Sequence, residues 1–174
     1  AGSAGDFRGR KRDLYEGGVR VPAFLVWPNQ VKQDRETNHP CVTSDYFPTI
    51  IDVLGLDMPK RPYDGISLLP LIKQNAQQRN HPIGFQSGNV ATWNGDQFKL
   101  VVQTEKQTKK ALQKVNGGAN VEQRQLIELF DLLADPGETN NLAGRHPEVV
   151  AEMSQSLAQW QKSCKQSDAG HDYD

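Results

Sequence analysis

The stretch Val19 to Trp27 (VRVPAFLVW) is a nearly continuous apolar run that stops at Pro28-Asn29, a turn signal. A run of this kind, without alternation, is the pattern of a strand buried on both faces, which belongs to a sheet covered by helices. Few partner strands follow it directly, so this strand needs a sheet built by other residues. The chain has 174 residues, enough for one ordinary domain or for a core piece with a small satellite. Hydrophobic residues make up 36%, below the usual share, which suits a layer that leans on a neighbour, although a polar surface alone gives the same value.

The segments after the run read as separate elements. Thr43 to Leu54 has Phe47, Ile50, Ile51 and Leu54 at helical spacing, with Thr43 or Ser44 as N-cap, Pro48 near the first turn and Gly55 as the stop. Asp57 to Asp64 is a proline-punctuated loop, and Ile66 to Ile72 is a short apolar helix or turn carrying Pro70. From Ile83 the period changes. Ile83 to Phe85, Val90 to Trp93, Phe98 to Val102 and Leu126 to Phe130 are strand-like, and Asn94-Gly95-Asp96 between the middle two is a hairpin signal. Gln103 to Gln125 is a long polar loop. Pro147 to Lys162 is an amphipathic helix with Val150, Met153, Leu157 and Trp160 on one face. The fold class expected for this chain is therefore α+β.

Composition excludes more than it selects. A formal net charge of -1 gives no global attraction to nucleic acid or to acidic substrates. No apolar stretch is long enough to span a membrane. Ala1 to Asp6 shows no charged and apolar regions of a signal peptide. Cys41 and Cys164 match no metal-ligand spacing; they could pair, but nothing in the sequence requires it. His39, His81, His146 and His171 match no catalytic motif and are expected on the surface or in loops.

The stretch richest in chemistry runs from Lys11 to Pro22. It puts a cationic side chain on a loop shortly before the apolar run, the region of an α/β sheet where ligands bind. Gly17 and Gly18 let the loop fold tightly against a ligand or another segment, and Glu16 and Arg20 can pair to hold the turn. By residue type alone, Arg8, Arg10, Lys11 and Arg12 read equally as a solvated basic run beside an ordinary turn. A nucleic-acid patch is disfavoured, because interleaved aromatics and a wider basic field are lacking.

The pattern Lys-x-x-x-Tyr-Glu-Gly-Gly-x-Arg-x-Pro, from Lys11 to Pro22, resembles the second signature of the type I sulfatases. Three further segments resemble the same family in the same order. They are Thr43-Ser44-Asp45 with Pro48-Thr49 and Leu54-Gly55, then Asp64-Gly65-Ile66-Ser67-Leu68-Leu69-Pro70-Leu71, then Leu129-Phe130-Asp131-Leu132 with Asp135-Pro136-Gly137-Glu138 and Asn140-Asn141-Leu142-Ala143. Gly95-Asp96-Gln97-Phe98-Lys99-Leu100 resembles the family's G-D-W-K-L strand, with Gln97-Phe98 departing from it. The overall style is nearest to the arylsulfatase and N-acetylgalactosamine-6-sulfatase types.

The resemblance implies the C-terminal part of an alkaline-phosphatase-like α/β fold. Residues 1–80 would be the last segment of the catalytic domain, and residues 81–174 a subdomain with a small antiparallel sheet packed by a terminal helix. It implies hydrolysis of aryl or carbohydrate sulfate esters, with Lys11 contacting the sulfate and its leaving oxygen, and Glu16, Gly17, Gly18 and Arg20 shaping the loop. A fixed cation in a dry pocket stabilises the charge that develops on that oxygen as the S–O bond breaks. It implies calcium and a formylglycine nucleophile supplied by an N-terminal sulfatase part outside this chain. Neither Cys41 nor Cys164 lies in a C-x-[PA]-x-R motif, and Asp6 with Asp13 is not a calcium set, so this chain alone is expected to be inactive. Gln86 to Trp93 and Gln103 to Gln125 are candidates for shaping substrate choice, although Trp93 would serve equally to pack the sheet. A periplasmic, secreted or lysosomal address is implied. The competing reading is a non-catalytic module that binds sulfated glycans through Arg8, Arg10, Lys11 and Arg12; phosphoryl transfer is disfavoured by the Lys-to-Pro signature. Self-association through the unpaired apolar strand is expected of the chain by itself.

Overall fold

The computed structural model describes residues 3–31, 33–74, 78–104 and 125–173. In chain order the elements are a one-turn helix α1 (Glu16–Val19), a 3-10 turn (Thr43–Asp45) running into α2 (Tyr46–Leu54), and α3 (Leu69–Gln74). Four strands follow: β1 (Ile83–Ser87), β2 (Val90–Asn94), β3 (Phe98–Thr104) and β4 (Gln125–Asp131). A long helix α4 (Pro147–Asp168) and a 3-10 turn (His171–Tyr173) close the chain. The class is α+β, as the sequence led one to expect.

The four strands form an antiparallel meander in the order β1-β2-β3-β4. Asn94 stands opposite Lys99 across the β2–β3 hairpin, and Gly95 N–H closes it on the Phe98 carbonyl at 2.8 Å. Side chains alternate across the strands. One face carries Ala91, Leu100 and Leu129, on which Met153 and Leu157 of α4 pack as a core, with Trp93, Phe98, Val150 and Trp160 around it. Gly84 belongs to this face: a Cβ there would lie 2.6 Å from the Trp160 ring. The helix keeps its expected start, with Pro147 in the first turn, and runs on past Lys162 to Asp168.

The second face of the sheet is buried too. Thr92, Lys99, Val101 and Phe130 are at most 1% exposed. The N-terminal segment covers part of it, with the Tyr15 ring edge-on to Phe130 at 6.4 Å between centroids. The sheet is thus a middle layer, with α4 on one side and the lysine loop on the other.

Two expectations change. Val19 to Trp27 forms no strand here: Val19 ends α1, and Val21, Phe24 and Val26 are 77%, 92% and 87% exposed. A strand buried on both faces needs neighbours on both sides, and the four described strands hydrogen-bond to one another elsewhere. Neither Thr43 nor Ser44 caps α2 through its side chain. Instead Asp45 organises the turn, its carboxylate accepting Val42 N–H at 2.8 Å and Ile66 N–H at 2.9 Å. Gly55 ends α2 as expected, at φ 66°. Gln103 and Thr104 belong to β3, and residues 105–124 of the polar loop lie outside the described residues. Cys41 and Cys164 are both free.

Candidate functional site: the lysine loop and its carboxylate anchor

Lys11 sits at the exposed tip of a turn closed by Asp13 N–H on the Arg10 carbonyl at 2.8 Å. Asp13 tightens the turn further, its carboxylate accepting Arg10 N–H at 2.9 Å. Arg12, next to Lys11, has φ 89°, a conformation that side-chain-bearing residues rarely adopt. Such a residue persists only where its surroundings over-determine the backbone, and here the surroundings are the two glycines. A Cβ on Gly17 would lie 2.6 Å from the carbonyls of Arg8 and Gly9, and one on Gly18 would lie 2.1 Å from that of Asp13. Their value is close approach of backbone to backbone rather than positive φ.

The basic run divides in two. Arg8 points onto the sheet: its guanidinium meets Glu128 at 3.1 Å and lies 3.9 Å from the centre of the Tyr15 ring. The Tyr15 hydroxyl hydrogen-bonds the other Glu128 oxygen. Burial, and then this hydrogen bond to a carboxylate, push the Tyr15 hydroxyl up to about 12. Arg10, Lys11 and Arg12 are exposed, and their side chains have no hydrogen-bond or ion-pair partner among the described residues. The three cations at the tip are therefore available to an anion, while Arg8 is part of the scaffold.

Glu16 pairs with Arg20 at 3.7 Å, but its nearer partner is Lys99 of β3 at 3.0 Å. Lys99 is fully buried and also meets Glu138 at 2.9 Å. Glu138 in turn accepts Glu16 N–H at 2.6 Å, so one carboxylate holds both the backbone of the loop and the lysine beneath it. Burial raises the Glu138 carboxyl against the pull of Lys99, and the neighbouring Glu16 carboxylate adds to the rise. Two carboxylates around one ammonium in a dry site are costly unless the geometry is close, as it is here.

The segments that carry the family resemblance have physical tasks in this arrangement. Asp135 accepts Thr139 and Asn140 N–H at 2.8 Å each, which delivers Glu138, at φ 55°, under the loop. Asn141 accepts Leu129 N–H at 3.0 Å, and Leu142 N–H returns to the Leu129 carbonyl at 2.8 Å. Gly65 passes against Ser44, where a Cβ would lie 2.0 Å from its carbonyl oxygen. Asp45 and Arg79 form a buried bidentate pair with both contacts at 2.7 Å. Burial opposes ionisation of Asp45, but Arg79 and the two backbone N–H groups outweigh it and hold the carboxyl below its ordinary value.

Sequence reading named Lys11, Glu16, Gly17, Gly18 and Arg20, and the fold brings them into one loop. It did not name Lys99, Glu138, Glu128 or Tyr15 as parts of the site. A signal for Lys99 was present: a lysine interrupting the apolar run Phe98 to Val102 must either face water or find a buried partner. Of the segments offered for substrate choice, Trp93 packs on Trp160 at 6.0 Å, and Gln86 bonds Gln161 at 3.0 Å. Both belong to the contact between sheet and helix. His146 stacks on Phe98 at 5.7 Å. Among the described residues no three His, Cys, Asp or Glu side chains converge, so they do not fit the implied calcium. Neither cysteine fits the precursor of the implied formylglycine, since neither lies in its motif.

Comparison with known proteins agrees with this frame. Residues 5–87 match the family described as N-sulphoglucosamine sulphohydrolase, C-terminal. Mouse (Mus musculus) steryl-sulfatase is 39% identical over 90 residues, covering 51% of this chain and 14% of that protein. The N-acetylgalactosamine-6-O-sulfatase of Bacteroides thetaiotaomicron is 29% identical over 157 residues, covering 88% of this chain and 29% of the relative. A solved structure from work on glycosaminoglycan metabolism by Bacteroides thetaiotaomicron (BT33336S-sulf) superposes with a TM-score of 0.70 at 25% identity, over 91% of this chain and 32% of that one. The chain is similar to sulfatases along most of its length, and residues 5–87 are similar to the C-terminal part described by that family. It spans only 14–16% of the length of the steryl-sulfatases it matches.

Proposed function

We propose that the whole protein hydrolyses sulfate esters, of the aryl or carbohydrate class, and that Lys11 is the cation facing the sulfate and its leaving oxygen. The observation that carries this reading is Lys11 without a partner among the described residues, at the tip of a turn packed closely on two glycines that lead from a buried carboxylate network. Negative charge grows on the ester oxygen as the S–O bond breaks, and a fixed ammonium beside it lowers the barrier without having to reorganise. We assign the formylglycine nucleophile and the calcium to residues outside this chain, and no turnover to this chain alone.

The test is aryl sulfate hydrolysis by the full-length protein. Lys11→Ala is expected to lower kcat about 10²–10³-fold, the loss usual when one preorganised contact to developing charge is removed. Lys11→Arg should recover part of it. Unchanged turnover in the alanine variant removes Lys11 from the reaction.

Exposed Arg10, Lys11 and Arg12 also favour a second reading, a module that binds sulfated glycans without cleaving them. Titration of this chain with a sulfated oligosaccharide at low salt tests it, and an absence of binding there ends that alternative.

A further inference from the structure

We infer that Lys99 and Glu138 are positioning residues for Lys11, acting through the backbone of the loop rather than on the substrate. The inference rests on the reading of Lys11 given above. Three observations point the same way. Lys99 is 0% exposed on the sheet face turned toward the loop, and it reaches Glu16 at 3.0 Å and Glu138 at 2.9 Å. Glu138 closes the ring by accepting Glu16 N–H at 2.6 Å. From Glu16 the constraint passes along a single turn of backbone. Gly17 N–H bonds the Arg8 carbonyl at 2.7 Å, and Gly18 is wedged against Asp13, which shapes the Lys11 turn.

The network has the properties that fixing a cation requires. Its members come from three places in the chain, Glu16 before the sheet, Lys99 inside it and Glu138 after it, so the loop is referenced to the sheet and not only to its own neighbours in sequence. Its central ammonium has two carboxylates, hydrogen-bonding Glu16 and ion-pairing with Glu138, so both contacts are charge-assisted. Removing Lys99 leaves two carboxylates facing one another, with only the more exposed Arg20, 3.7 Å from Glu16, as a counter-charge. They separate or protonate, and the Glu16 backbone moves with them. A shift of about 1 Å at a reacting group is enough to cost about 100-fold in rate.

A double-mutant cycle in the full-length protein decides the matter, using Lys99→Met, Lys11→Ala and the pair, with aryl sulfate turnover as the readout. The expected result is that Lys99→Met lowers kcat about 100-fold with little change in KM. In the Lys11→Ala background the same substitution should then have almost no effect, because the group it positions is gone. Hydrogen exchange should quicken at the Gly17 and Gly18 amides while the β2–β3 amides stay protected. If Lys99→Met does not fold, Glu138→Gln takes its place in the same cycle; it keeps an acceptor for Glu16 N–H but removes one charge from Lys99. Equal fold losses in both backgrounds would mean that Lys99 acts on overall stability alone and would overturn the inference. A folded Lys99→Met or Glu138→Gln with wild-type kcat would overturn it as well. If Lys11→Ala itself has wild-type turnover, the fault lies with the assignment of Lys11 and the positioning role falls with it.

Discussion

Gly18 illustrates how narrowly the loop is specified. A methyl group there would overlap the Asp13 carbonyl, and no side-chain movement relieves a clash between backbone atoms. Gly18→Ala is therefore expected to destabilise the chain by about 1–3 kcal/mol in urea denaturation, the usual cost of forcing atoms into a filled space. Gly144→Ala, where nothing lies within 4 Å, should change stability by no more than about 0.5 kcal/mol. Asp45 gives a prediction in pH. Its folded carboxyl lies below the ordinary 3.8, so between the two values the unfolded chain binds a proton that the folded chain does not. Its stabilising contribution is thus fully present above pH 3.8 and is lost as pH falls through the folded value. Thermal melts from pH 5 to pH 2.5 should show this decline, and Asp45→Asn should flatten it. The same variant should cost about 3–5 kcal/mol at neutral pH, because it strands the buried Arg79 guanidinium.

At the scale of elements, α4 and the β2–β3 hairpin were readable because their signals are local. Pro147 starts the helix, a period of 3.6 sets its face, and Asn94-Gly95-Asp96 turns the chain between two apolar runs. Leu157→Ala, at the centre of that face, should cost about 2–5 kcal/mol and lower the melting temperature. The one-turn helix α1 was not readable. Four residues with two central glycines have poor helical propensity, and contacts from outside the turn hold them, among them the Arg8 carbonyl, near in sequence, and the Glu138 carboxylate and Lys99, both distant. The cap of α2 was misjudged for a related reason. Asp45 lies inside the turn, and its carboxylate reaches forward to Ile66 as well as back to Val42, a partner that no local pattern reveals. The lysine loop itself was legible from a motif, but the network beneath it depends on which strand face the loop covers, and that is a tertiary fact.

Over the whole molecule, the sheet separates an apolar contact with α4 from a charged contact with the loop. The apolar run that needs partners is left in solvent, with Phe24 and Val26 exposed, and Phe47, Ile50 and Leu54 of α2 are also open. The isolated chain is expected to self-associate through this surface, and Phe24→Glu with Val26→Lys to reduce that tendency. Sedimentation velocity over a range of concentrations checks it, and an unvarying monomer would contradict it. The two-sided sheet has one more consequence. Lys99 and Leu100 are neighbours pointing to opposite faces, the one into a ring of carboxylates and the other into the core. A slip of β3 by one residue would turn both onto the wrong face, putting the ammonium on the apolar side and an apolar side chain between two glutamates. Both errors are heavily penalised at once, so the chain carries a built-in proofreader of its own strand alignment. The lysine that steadies the loop also tells β3 where to stop sliding.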